Sequence, residues 1–182
     1  MKRIFSYFLF VLAVSTVLFS LGCQSNTPNS PLPNSKTFRA NDQLIFLTSQ
    51  KGSLAKNIVT TKFINAEEGG TILVGNEESG YSSIHFMPGD LNEDALITFS
   101  WNTNRHIAEL LPHGLIFNNP VALNLSYQNA NCEELSENNI RIWYFNEDEN
   151  AWELIGGDVN PVERRVEGFI GHFSKYALGG GE

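Results

Sequence analysis

Cysteine is scarce in this chain: Cys23 and Cys132 are the only two among 182 residues. One disulfide is the most the chain could form, and metal ligation by Cys132 lacks a neighbouring ligand pattern. Basic runs are missing too, Arg164-Arg165 being the longest cluster against a formal net charge of −8. An acidic surface repels phosphates, so nucleic acid is excluded as a partner. No histidine has a second histidine at metal-ligand spacing, and no Gly-rich loop follows a strand and opens a helix. Neither a metal nor a nucleotide cofactor is therefore expected. The acidic stretches "DLNED" (90–94) and "NEDEN" (146–150) do not match an ordered calcium loop. After residue 36 there is no sustained helical period.

What is present begins with "MKRIFSYFLFVLAVSTVLFSLGCQSN". Lys2 and Arg3 precede an apolar run from Ile4 to Gly22, and polar sequence follows Cys23 at once, the layout of a secretory signal. Leu21-Gly22-Cys23 resembles the lipobox of bacterial lipoproteins. There a signal peptidase cuts before the cysteine, whose thiol carries diacylglycerol. The resemblance implies that residues 1–22 are removed and that Cys23 is lipidated, with palmitate among its acyl chains. It also implies a domain anchored outside the cytoplasm at the cell envelope. Gln24 in place of an Asp favours an outer membrane where two membranes exist. The alternative is an uncleaved anchor helix, since ~20 apolar residues span a bilayer, although Ser15, Thr16 and Ser20 weaken a permanent span.

Loss of residues 1–22 takes away Lys2 and Arg3 and no acidic residue. Ten basic side chains then face twenty acidic ones, a net charge of −10. With lipid on Cys23, Cys132 has no partner in the chain, and a Cys23–Cys132 disulfide would compete with lipidation. Residues 23–36 continue as "CQSNTPNSPLPNSK", too poor in apolar side chains to offset the entropy of ordering, and are expected to form a flexible tether. Residues 37–182 are long enough for one domain with its own core.

That domain is expected to be all-β, an antiparallel sandwich, because short alternating runs recur between Gly, Pro and Asn turns. In "NPVALNLSY" Val121, Leu123, Leu125 and Tyr127 share one face and Ala122, Asn124 and Ser126 the other. "IRIWYF" (140–145) alternates Ile140, Ile142 and Tyr144 against Arg141, Trp143 and Phe145; "NEDEN" turns the chain, and "AWELI" (151–155) returns as a hairpin partner. Earlier strands are expected at 43–48, 57–64, 70–75, 81–86 and 96–101, and 87–97 is expected to be a loop with room for one helical turn near 90–95. Gly69-Gly70 is expected to carry positive φ into its strand. Trp101, Trp143 and Trp152 are the first aromatics to consider as surface contacts, but strand aromatics usually pack the core.

"AEEGGTI" (66–72), "MPGDLNEDALIT" (87–98) and "LLPHGLIFNNPVALNLSY" (110–127) together resemble the ZU5 domain, a module of tight-junction scaffolds, netrin receptors, ankyrins and bacterial surface proteins. "IRIWYFNEDENAWELIGG" (140–157) and "GHFSKYAL" (171–178) resemble the closing strands of bacterial ZU5-like sequences, so the resemblance covers residues 55–178. It implies an immunoglobulin-like β-sandwich and no single activity. The expected role is a binding or structural module for an envelope protein or a glycan, not an enzyme.

One motif points elsewhere. In "VEGFIGHFSKYAL", burying Val166, Ile170 and Phe173 together requires a one-residue slip, which a bulge at Gly171 or nearby would supply. Some ZU5-containing scaffolds break a His-Phe-Ser sequence before its serine. By that resemblance Ser174 would attack the Phe173 carbonyl, His172 would take the hydroxyl proton or polarise the peptide, and water would hydrolyse the ester. Backbone N–H groups would have to stabilise the oxyanion. The competing expectation is architectural: Phe173 anchors the core, and His172 and Ser174 face solvent or bond backbone. Those scaffolds continue into a second domain, whereas eight residues follow Ser174 here, which favours architecture.

Overall fold

The structure, a computed structural model, describes residues 37–39 (backbone only), 44–50 and 56–180. The expected signal, lipidation site and tether lie outside these residues. Among the described residues no helix is long and apolar enough to cross a membrane.

Long strands occupy the stretches in which inward apolar side chains alternate with outward polar ones. The first strands are β1 (Thr37–Arg39), β2 (Ile45–Phe46), β3 (Thr48–Ser49), β4 (Asn57–Ile64) and β5 (Gly70–Asn76). Then come β6 (Gly80–Phe86), β7 (Ala95–Asn102), β8 (Ile107–Leu111), β9 (Ile116–Ser126) and β10 (Ala130–Asn131). β11 (Arg141–Asn146), β12 (Ala151–Gly156), β13 (Asp158–Asn160), β14 (Arg165–His172) and β15 (Lys175–Gly180) complete the set. The one helical element among the described residues is a 3₁₀ turn at Glu137–Asn139. Residues 90–95 form bends and the start of β7, not the helical turn allowed for above.

The strands build an antiparallel sandwich. The larger sheet runs β1-β12-β11-β15-β8-β7-β4, and β2 also pairs with β15. The smaller runs β13-β14-β9-β6-β5, and β3 with β10 makes a two-stranded ribbon. β15 meets β11 along one side, while β8 and β2 share its other side end to end. The expected strand at 43–48 is divided instead. Leu47 is buried and its N–H donates to the Leu178 carbonyl at 3.0 Å, and the chain then leaves the larger sheet to pair with β10.

The core lies between the sheets. Val121, Leu123, Leu125 and Tyr127 all face into it, together with Ile72, Ile84, Val166 and Ile170 from the smaller sheet and Ile97, Phe99, Leu110 and Ile142 from the larger. The removal of this apolar surface from water is the main stabilising contribution. Trp101 and Trp143 are buried, so of the three tryptophans only Trp152 reaches the surface, where its ring sits between Phe46 (5.0 Å) and Phe145 (5.1 Å). Gly69 has φ +70, and a Cβ there would run into the Phe86–Met87 backbone, so the turn into β5 requires glycine. At Gly179 a Cβ would stand 2.6 Å from the Ile45 carbonyl oxygen, which is how β2 comes to lie so close to β15.

His106 is buried in the β7–β8 turn at φ +50, its ring edge-on to Trp101 at 5.8 Å. Its sequence neighbours Asn102, Thr103, Asn104 and Arg105 are all polar. Burial lowers its pKa from 6.5 to about 4, and the Gln128 and Leu47 backbone offsets only part of this. The unfolded chain therefore takes up this proton at a higher pH than the folded chain. Stability should fall as pH drops from 6.5 toward 4, by about 3 kcal/mol over the whole interval, and His172, also lowered by burial, acts in the same direction. Urea titrations at stepped pH should show this slope, and His106→Asn, which tolerates the backbone angle, should flatten it. An unchanged slope in the variant would reassign the acid sensitivity to other groups.

Candidate functional site

Three connections meet at one end of the sandwich: the β8–β9 turn, the β11–β12 turn and the β14–β15 junction. Between them lies a cleft of about 350 Å³. The β8–β9 turn contributes His113 and Gly114, the β11 end Tyr144 to Asn146, the next turn Glu147 and Asp148, and the junction His172 to Ser174. The His-Phe-Ser triplet therefore lines the cleft.

The junction is irregular because the chain changes sheets there. β14 belongs to the smaller sheet and β15 to the larger, and only Phe173 and Ser174 separate them. The expected slip falls between Ile170 and His172. Its excess residues, however, lie on the partner strand. Ile170 is opposite Val121 and His172 opposite Ile116, so residues 117–120 of β9 face Gly171 alone. Pro120, which has no N–H to give, lies within that unpaired stretch, where none is needed. Phe173 plugs the space where the sheets part, edge-on to Phe117 (4.9 Å) and Phe86 (6.1 Å), and is 1 % exposed.

Backbone and side-chain bonds hold the junction. The Phe173 N–H donates to the Leu115 carbonyl (2.9 Å), and the Phe173 carbonyl accepts from the Gly114 N–H (3.1 Å). His172 Nδ1 stands 3.3 Å from that same carbonyl oxygen. The Ser174 hydroxyl donates to the Phe145 carbonyl (3.1 Å), and the Tyr176 hydroxyl to the His172 carbonyl (2.6 Å). Neither a cis bond nor a positive φ falls at residues 172–174.

Burial governs the electrostatics of the cleft floor. It lowers the His172 pKa, with smaller opposing effects from the Phe173 backbone and the Glu153 carboxylate, so the ring is neutral at pH 7. Burial, with the Glu153 carboxylate adding to it, pushes the Tyr144 phenol up to about 12. Glu153 is opposite Tyr144 in the sheet, is buried, and accepts from Asn146 Nδ2 at 2.6 Å. At the rim His113 lies between Glu109 (3.6 Å) and Glu147 (3.7 Å). The lining thus offers neutral donors and acceptors, two exposed carboxylates and the Tyr144 ring, which meets the His172 ring at 5.3 Å.

These contacts bear on whether the junction could be cut. The Phe173 carbonyl has two groups placed to stabilise an oxyanion, but the Ser174 hydroxyl proton is committed to Phe145. Among the described residues, no three or more of His, Cys, Asp and Glu are placed to hold a metal ion. Among the described residues Cys132 has no disulfide partner, and burial raises its pKa. His85 lies on the open face of the smaller sheet, bonded to Thr71 (2.7 Å).

His113, Tyr144 and Glu147 are cleft residues that sequence reasoning passed over. Their shared place depends on three turns distant in sequence. The one local signal for His113 was the "PHGL" turn itself, with Gly114 at φ +76. No family model matches this chain, and neither the curated proteins nor the solved structures yield a match.

Truncating the plug should be far more costly than removing the hydroxyl. Phe173→Ala should lose about 3–5 kcal/mol and Ser174→Ala about 1 kcal/mol, read from urea midpoints. Equal losses would mean that Phe173 is not the anchor of the junction.

Proposed function

We infer that this chain is a lipid-anchored module of the bacterial cell envelope. Its ZU5-like sandwich displays the end cleft to a protein or glycan partner. The observation that supports this reading is the convergence of His113, Tyr144, Asn146, Glu147 and His172 around one open cleft of about 350 Å³, a size and polarity suited to holding a ligand group. The signal-like N-terminus, Cys23 and the tether supply the address. A net charge of −10 after processing keeps the domain away from anionic lipid and nucleic acid.

The test is retention of a partner from envelope extract by the full chain in detergent. His113→Ala/Glu147→Ala, which changes only rim side chains, should weaken retention about tenfold, or 1.4 kcal/mol. Undiminished retention would move the contact surface elsewhere.

A second reading, self-cleavage between Phe173 and Ser174, draws support from the two groups on the Phe173 carbonyl. In that case the Ser174 oxygen adds to the carbonyl carbon as the Phe173–Ser174 C–N bond breaks, giving an ester and a free amine that takes up the proton. Water then completes hydrolysis. Because β15 is gripped on both sides, the cut peptide would stay in the folded domain, so mass must be measured after denaturation. The binding reading expects one mature species. Separation of a peptide beginning at Ser174, abolished in Ser174→Ala, would establish cleavage.

A further inference from the structure

A second cavity, of about 360 Å³, lies on the outward face of the larger sheet. Its walls are Asn57 of β4, Ser100 and Asn102 of β7, Arg105 of the next turn, Ile107 and Glu109 of β8, and Lys175 of β15. This cavity and the end cleft share a boundary. Ser174 lines one and Lys175 the other. The Lys175 ammonium lies 5.7 Å over the ring of Phe145, a cleft residue, and Glu109 reaches His113 at 3.6 Å. The divide is therefore made by two side-chain pairs, Lys175 with Phe145 and Glu109 with His113.

We propose that the two cavities are subsites of one trough that binds an extended glycan. This rests on the reading of the cleft as a binding site. The trough runs across β11, β15, β8, β7 and β4 in sheet order. That is four strand spacings of about 4.8 Å, roughly 19 Å, the length of several sugar rings. A peptide strand gains little there, because the interior strands it crosses have committed their N–H and C=O groups to neighbours and strand addition needs a free edge. A glycan brings its own hydroxyls. Asn57, Asn102, Arg105 and Glu109 at one end and Glu147 at the other present planar polar groups, which suit pairs of adjacent hydroxyls. On this face Phe145, beneath the Lys175 ammonium, is the aromatic surface for the apolar face of a ring, whereas Tyr144, opposite Tyr176 in the register, points the other way.

The experiment is binding of the full chain in detergent to a printed array of neutral and acidic oligosaccharides of two to eight residues. Affinity should rise at least tenfold from disaccharide to hexasaccharide of the preferred series. Arg105→Ala/Asn57→Ala in the outer cavity should remove that gain. His113→Ala/Glu147→Ala should weaken disaccharide and hexasaccharide binding about tenfold, with urea midpoints confirming that each variant is folded. Binding that does not depend on length, or an outer-cavity variant without effect, overturns the single trough. An array without binding, beside partner retention that the rim variant abolishes, overturns the glycan and keeps the cleft. Silence in both assays removes the cleft as well.

Discussion

Two residues, Phe173 and Ser174, separate a strand of the smaller sheet from the middle strand of the larger. So short a passage between layers forces the chain to turn inward, and a large side chain must occupy the gap it leaves. Phe173 does so against Phe86 and Phe117. The register break, the four residues of β9 that face Gly171, and the position of the end cleft all follow from this crossing. The cleft exists because the sheets part where the chain changes layer.

The same crossing explains how His172 and Ser174 come to lie beside the Phe173 carbonyl. A strand that leaves its sheet frees backbone carbonyls from ladder partners, and nearby donors take them up. Gly114 N–H serves the Phe173 carbonyl, the Ser174 hydroxyl serves Phe145, and the Tyr176 hydroxyl serves His172. Buried polar groups must be paired somewhere. This junction pairs them with side chains and turn backbone, the groups from which oxyanion sites are also built. Satisfying the crossing is thus what places a serine beside a hydrogen-bonded carbonyl.

Two long strands were legible because one face of each is buried, which makes period-two alternation plain in 95–102 and 121–125. β8 was not. Ala108 and Leu110 point inward, but Ile107 and Leu111 on the other face blur the alternation. β1, β3, β10 and β13 have two or three residues each, too few to carry a period, and their pairing is set by partners distant in sequence. The burial of His106 could not be read either, since polar neighbours hide a turn that folds back against Trp101. Phe173 and its slip were legible from parity alone. The surrounding cleft was not, because it belongs to three turns that only the tertiary fold brings together.

The place of β15 also bears on how the domain comes into being. It joins β12 and β11 on one side to β8, β7 and β4 on the other, and all of these precede it in the chain. During synthesis, then, the nascent polypeptide holds two part-sheets with bare edges until residues 175–180 emerge. Exposed edges invite pairing with foreign strands, so this interval is the one in which the chain is most open to mispairing.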